Sequence, residues 1–465
     1  MLLSGCASGG SQPVGPARIT QEVPETVTTV SELLGLAPFY VAHRGSGDNW
    51  PEHTALAYRN AVNAGAQAIE ISVNATSDGV LVCHHDSNTL RLTGVDCEIA
   101  QVTWDELSLL SNDATAWLGP RTPVEPIPRL KDVLDELAGE TIIFVEDKQG
   151  TNTASLLDLL GSYPDATERF VWKQWAGGRQ HEVAREHGYQ TWGYFGPEDE
   201  VTLERTKGFD ILGVHHSASD QAIKKVVSHG KPVIAWEVHY RSGRDRLSEL
   251  GVVGMMCSNI PYVTARTKAS VSDSFASGTR AAGDLPWTVD LGWQAQPRLI
   301  PEIGAVRLGH SDVQSYLMGS LAPIDKTNYE ISFKIRWPDA LPEREQHAGL
   351  AFGIDDDSSY RVGSPAQVGG YIAVLRADGV LELCTHSLGQ DELTVLASVQ
   401  TPVPLVGEWI DLVVSVDELR VAVTRSRNTA WEASVNSDDY RGGYFWLCKN
   451  YAAPAAVEYS SILVE

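Results

Sequence analysis

No stretch of this 465-residue chain reaches the roughly 18 uninterrupted apolar residues that a membrane-spanning helix needs, so the sequence offers no candidate span. Positive charge is scarce, with 36 lysines and arginines against 60 aspartates and glutamates and a formal net charge of −24. Such a balance repels a polyanionic backbone and removes the term that supplies most non-specific nucleic-acid affinity, so no nucleic-acid partner is expected. Cysteine is sparse as well. Beyond Cys6 there are Cys83, Cys97, Cys257, Cys384 and Cys448, without the C-x-x-C spacing of a zinc site or redox motif. Five is an odd number, most of these residues read as small core side chains, and no essential disulfide is expected.

What is present is length and a repeating rhythm. The chain exceeds one ordinary domain, and an α/β barrel of roughly 250 residues plus a smaller module fits. From Phe39 onward, eight short β-rich runs alternate with helical stretches such as 129–137 and 221–228. The runs are 39–43, 68–73, 141–147, 169–174, 190–195, 210–215, 232–238 and 253–258. That is the pattern of a parallel (β/α)8 TIM barrel, here expected over 37–267. Its active site would lie at the C-terminal ends of the strands.

Those ends are rich in charge. The first run closes on His43-Arg44-Gly45, with Pro51-Glu52-His53-Thr54 in the following loop. Glu70 and Ser72 share one face of the second strand because side chains repeat with period two. Ser77-Asp78-Gly79 turns the chain into Val80-Leu81-Val82 and then His84, His85 and Asp86, where alternation lets only one of the two histidines enter the site. The third barrel strand closes on Glu146-Asp147-Lys148, with Glu146 and Lys148 on one face.

In order and spacing this set resembles the glycerophosphodiester phosphodiesterase family, whose pattern runs His-Arg-Gly, Pro-Glu-Asn-Thr, Glu-x-Asp, Thr-x-Asp-Gly, His-Asp and Glu-x-Lys. The likeness extends from about Tyr40 to Thr264, supported by Thr76-x-Asp78-Gly79, the run 89–94, the run 127–134 and Trp236. The resemblance implies a hydrolase cleaving glycerophosphodiesters or related lipid-derived substrates. It also implies a divalent cation, Ca2+ or Mg2+, held by Glu70 and Glu146 with Glu52 nearby. His43 and His85 match the general acid/base pair, and Arg44 and Lys148 match groups that stabilise phosphate charge. The substrate's own neighbouring hydroxyl is the implied nucleophile, giving a cyclic phosphate before water completes the reaction.

Three positions depart from the pattern. Glu70-Ile71-Ser72 replaces Glu-x-Asp, which exchanges an anionic ligand for a hydroxyl and should weaken affinity for a hard cation. His53 replaces an asparagine, and the seventh strand reads Trp236-Glu237-Val238-His239. Glu237 or Asp86 is a candidate to compensate for the missing carboxylate. Trp172, Trp175, Trp192 and Trp236 read as core or as an apolar wall, and of these only Trp236 is assigned to substrate. His84 reads as packing, His215 and His216 as packing or substrate contact, and Lys173 as a phosphate contact or a structural ion pair.

The ends of the chain carry further expectations. Leu3-Ser4-Gly5-Cys6 is similar to a lipoprotein lipobox, but the basic and apolar segments expected before it are short, so the true start is expected upstream of Met1. Residues 1–36 are read as this signal remnant and a flexible tether, with lipidated Cys6 the sole expected membrane contact and the cell envelope the expected location. Residues 268–285, rich in Ser, Ala and Gly, are read as a linker. Beyond it, 329–337 alternates apolar and polar residues, and 349–354, 371–376, 380–385, 393–399, 409–416 and 419–425 follow as further strands. Residues 286–465 resemble a concanavalin-like β-sandwich, a binding or spacing module for which a glycan is the expected partner. Two competing readings are a degenerate barrel that binds a glycan or phosphate ligand, and a virion tail component.

Overall fold

The computed structural model describes residues 27–264, 272–280, 297–309, 324, 327–357, 368–426, 429–451 and 455–465. Among them, eight parallel strands close into a barrel: Phe39–Ala42, Ala68–Ala75, Ile142–Asp147, Phe170–Trp175, Gln190–Tyr194, Ile211–His215, Val233–Val238 and Gly254–Cys257. The first pairs with both the eighth and the second (Tyr40 with Met255, Val41 with Ala68), which shuts the ring. Each strand lies within a residue or two of the run read from sequence. A short strand, Leu81–Cys83, adds antiparallel to the end of the second and carries the chain to His84 and His85.

The helices around the barrel form for local reasons. In Leu130–Leu137, Leu130, Val133, Leu134 and Leu137 recur at i, i+3, i+4 and i+7 and are all buried. Each contributes roughly 1.5–3 kcal/mol by leaving water. Helix Asp220–Val227 starts at Ser219, whose hydroxyl accepts from the Ala222 N–H, and buries Ile223 and Val226. No helix among the described residues is long and apolar enough to cross a membrane.

Two parts of the chain differ from the expectation of flexible tethers. Helix Val30–Leu34 is closed by a capping box between Thr29 and Glu32, and Val30 and Leu33 are buried in the core inside the barrel. The tether reading of 1–36 therefore fails for its last residues, because a two-residue apolar face is enough to plug the barrel floor. Residues 1–26, with Cys6, lie outside the described residues. In the linker, Ser272–Asp273 pairs with strand Val457–Val464, while the Gly278 carbonyl accepts from the Arg121 N–H and the Arg280 N–H donates to the Leu118 carbonyl. The described part of the linker is thus fastened on both sides, and composition alone could not reveal these partners.

The C-terminal region consists of two antiparallel sheets. One runs in the order Arg298–Ile300, Ala305–Leu308, Val457–Val464, Tyr329–Arg336, Ile410–Val416, Arg420–Ser426 and Ala430–Asn436. The other runs Thr394–Gln400, Val380–His386, Gly370–Arg376, His347–Gly353 and Gly442–Lys449. Tyr329–Arg336 alternates buried and less buried residues as its sequence requires, and side chains of both sheets share one apolar core. Buried Asp357 joins this region to the barrel, accepting from the Arg241 N–H (2.6 Å), the Ser242 N–H (2.9 Å) and the Tyr262 hydroxyl (2.7 Å). The five described cysteines other than Cys6 are unpaired, and four of them are buried.

Candidate active site

Period-two alternation stacks the barrel interior in two tiers. Near the strand N-termini the inward side chains are apolar, among them Ala68, Ile142, Phe144, Val171, Ile234 and Met256. Further along the same faces stand Glu70 and Ser72, Glu146, Lys173 and Tyr194, so charge gathers only at the C-terminal mouth. The first strand leaves through a turn in which Arg44 (φ 53°), Gly45 (φ 78°) and Ser46 (φ 71°) are left-handed. A Cβ on Gly45 would stand 2.8 Å from that of Ala57, so glycine is required where the turn packs on the next helix. The turn aims the Arg44 N–H at Glu70 Oε2 (2.9 Å) and places His43 Nδ1 3.0 Å from Ser258 Oγ.

Lys173 occupies the centre. Its Nζ donates to Glu70 Oε1 at 2.9 Å and also to Glu146 Oε2. The two glutamates paired by sequence therefore meet at one atom. Ser72 Oγ donates to Glu70 Oε1 (3.1 Å), the Tyr194 hydroxyl donates to Glu146 Oε1 (2.7 Å), and Lys148 Nζ lies 3.5 Å from Glu146 Oε1. Burial works to raise both carboxylate pKa values, but Lys173, aided by His43 at Glu70 and Lys148 at Glu146, holds them below the usual range. Burial likewise opposes the charge on Lys173, and Glu146 and Glu70 outweigh it, raising its pKa.

Two chains of contacts lead from this centre along the rim. On one side Arg91 grips Glu52 with Nη2 (2.6 Å) and Nη1 (3.1 Å), Arg44 Nη1 adds a 3.2 Å contact, Arg91 Nε holds Asp86 (2.6 Å), and Asp86 Oδ1 meets His85 Nδ1 at 2.7 Å. On the other, Glu237 lies 3.6 Å from His43 Nε2, 3.9 Å from Arg44 Nη2 and 3.5 Å from His239 Nε2, while His239 Nδ1 meets Asp48 at 2.7 Å. Burial drives the His43 pKa down to about 4 against the pull of Glu237, so at neutral pH a neutral imidazole faces that carboxylate. Burial also lowers the pKa of His85, opposed by its bond to Asp86. For His239 burial again disfavours the charge, but Asp48 and Glu237 prevail and push its pKa up to about 10.

Most residues singled out from sequence reach this mouth. His43, Arg44, Glu70, Glu146 and Lys148 gather around Lys173 and Glu237, and His85 joins through Asp86 and Arg91. Glu52 is enclosed by two arginines instead of reaching into the Glu70–Glu146 pair. Asp86 and Glu237 are likewise committed elsewhere, to His85 and Arg91 and to His43 and His239 respectively. Half-buried Trp236 stands between Tyr194 (5.4 Å between ring centres) and His215 (4.6 Å), whereas Trp172 and Trp192 are fully buried and Trp175 is exposed. His84 is buried with Nδ1 2.9 Å from the Asp86 carbonyl, a packing role. His53 is buried and left-handed (φ 56°), and its Nδ1 lies 2.7 Å from the Tyr58 hydroxyl. Sequence reasoning missed Arg91, Tyr194, Ser258 and Asp48. Arg91 stood inside a quoted motif, but the partners of the others come from distant strands.

With this geometry in place, comparison with known proteins is direct. The model of the glycerophosphoryl diester phosphodiesterase family matches residues 43–260. The matched residues run from the end of the first barrel strand to just past the eighth, so the likeness lies in the barrel. A glycerophosphodiester phosphodiesterase of Caldanaerobacter subterraneus is 37% identical over 112 residues, 24% of this chain and 45% of that protein. Mouse glycerophosphodiester phosphodiesterase 1 is 31% identical over 127 residues, 27% of this chain and 38% of that protein. The matches thus span less than half the length of either relative. A phosphodiesterase of Oleispira antarctica, solved with its product sn-glycerol 3-phosphate, is 21% identical with a TM-score of 0.45, over 49% of this chain and 96% of that one.

The family resemblance calls for a divalent cation between Glu70 and Glu146, and the residues here do not fit one. Calcium and magnesium take six or more oxygen ligands, but all four carboxylate oxygens of the pair already face protein donors: the Arg44 N–H, Ser72, Lys173, Tyr194 and Lys148. Among the described residues no group of three or more His, Cys, Asp or Glu side chains is arranged to hold a metal ion.

Proposed function

We propose that this chain is a phosphodiesterase of the cell envelope that cleaves glycerophosphodiesters, with lysophospholipids and glycerol-phosphate polymers as related substrates. The observation that carries the reading is the pairing, on one barrel mouth, of a neutral His43 and an Asp86-linked His85 with the cationic groups of Arg44 and Lys148. Held by Ser258, His43 takes the proton from the attacking hydroxyl as its oxygen bonds to phosphorus. From its imidazolium form, which Asp86 favours against the burial that lowers its pKa, His85 protonates the departing alkoxide as the second phosphorus–oxygen bond breaks. Arg44 and Lys148 neutralise the equatorial oxygens. The substrate's neighbouring hydroxyl attacks first, and water then opens the cyclic phosphate. Trp236 supplies an apolar face for the remainder of the substrate, and Cys6 a lipid anchor.

The two C-terminal sheets make a concanavalin-like sandwich whose role is to bind glycan or to space the barrel from the surface. In favour of a second reading, a barrel that binds a phosphate ester without turnover, are Ser72 and the ion pairs of Lys173. Release of glycerol 3-phosphate from glycerophosphocholine separates the two. Turnover lost in His43→Ala supports the enzyme, and no turnover of any diester supports the binding protein.

A further inference from the structure

We infer that Lys173 is the resident cation of this site, standing where a divalent ion would bridge Glu70 and Glu146, and that the barrel works on its phosphodiester without a metal. The inference rests on the phosphodiesterase reading above. Three observations on different strands agree. First, one Nζ bonds a carboxylate from the second strand and another from the third, the position a bridging ion would need. Second, the substitution that removes an anionic ligand places Ser72 as a donor to Glu70, so its hydroxyl proton points where a ligand lone pair should be. Third, Tyr194 and the Arg44 N–H fill the remaining oxygens with donors, which repel a metal ion and stabilise bare carboxylates.

The charge is consistent. An ammonium brings one positive charge where calcium or magnesium would bring two, and the same mouth holds Arg44, Arg91, Lys148 and protonated His239 besides. In the cleavage, the bond from the attacking oxygen to phosphorus forms while that to the leaving alkoxide breaks. One proton goes to His43 and one arrives from His85, with no oxidant, reductant or further reactant. The phosphoryl group gains negative charge at the transition state, and two unneutralised glutamates beneath it would oppose that gain. Lys173 is a positioning residue that cancels their charge and fixes them.

The test starts with chelator-stripped wild-type protein assayed on glycerophosphocholine. Turnover in chelator should match that with added calcium or magnesium within about twofold, and titration calorimetry should show no calcium binding that Glu70→Gln removes. Lys173→Met should lower kcat by ~100-fold, the scale for removing a preorganised charge, with Lys173→Arg recovering part of the loss. The double variant Ser72→Asp/Lys173→Gln should gain calcium binding, lost again with Glu70→Gln. A wild type that needs a divalent ion, or binds calcium through Glu70, overturns the inference and leaves the phosphodiesterase reading standing. A wild type without turnover in either buffer removes that reading, and calorimetry on wild type and double variant then decides the inference. Should circular dichroism show Lys173→Met unfolded, the chelator arm and the double variant decide it.

Discussion

His239 gives the site a pH signature that can be worked through in advance. Its imidazole is wedged between Asp48 and Glu237, and its pKa rises from the ordinary 6.5 to about 10. A group whose folded pKa lies above its unfolded one stabilises fully below the unfolded value and loses that contribution as pH climbs through the folded one. The window therefore runs from about pH 6.5 to about pH 10. Near pH 8 the unfolded chain has released this proton and the folded chain has kept it, so stability should fall by about 1.2 kcal/mol per pH unit from this group. Buried thiols and phenols also titrate on unfolding in this range, so the quantity to measure is a difference. Urea unfolding of wild type and His239→Gln at pH 7.5, 8.0, 8.5 and 9.0 should give a steeper decline for the wild type by about 1 kcal/mol per unit. In the wild type His239 helps to hold Asp48 and Glu237 below the usual carboxylate range, so neither titrates in this window. Equal slopes would refute a charged His239.

Glu52→Gln should cost about 3–5 kcal/mol in urea unfolding at neutral pH, because it leaves the guanidiniums of Arg44 and Arg91 facing a neutral amide in a buried site. Asp357→Ala strips the cap from the Arg241 and Ser242 N–H groups and the partner from the Tyr262 hydroxyl. A loss of about 2–4 kcal/mol follows, and limited proteolysis should cut between barrel and C-terminal sheets faster than in wild type.

The barrel was legible because its signal is repeated: eight β-rich runs, each with its helical return, leave little freedom in topology. Period two also placed Glu70 with Ser72 and Glu146 with Lys148, as the contacts between them bear out. Alternation admitted only one of His84 and His85 to the mouth, and the His-Asp register of the family resemblance selected His85. Lys173 shows where legibility stopped. Its strand and face could be read, but phosphate contact and ion pairing remained equal, since only the tertiary register of the second, third and fourth strands brings the three side chains to one point. Asp48 and Ser258 were invisible for the same reason, as they meet His239 and His43 from nearly two hundred residues away or more. Helix Val30–Leu34 was hidden by the low-complexity residues before it, because two buried side chains leave almost no periodic trace.

The central claim is that His43 and His85 act as one proton-transfer unit on a phosphodiester, and a double-mutant cycle on kcat/KM for glycerophosphocholine tests it most directly. Each of His43→Ala and His85→Ala should lose at least ~100-fold, and the double variant should be little worse than the weaker single, as expected for residues that work as a unit. Turnover near the wild-type level in either single variant would contradict the account.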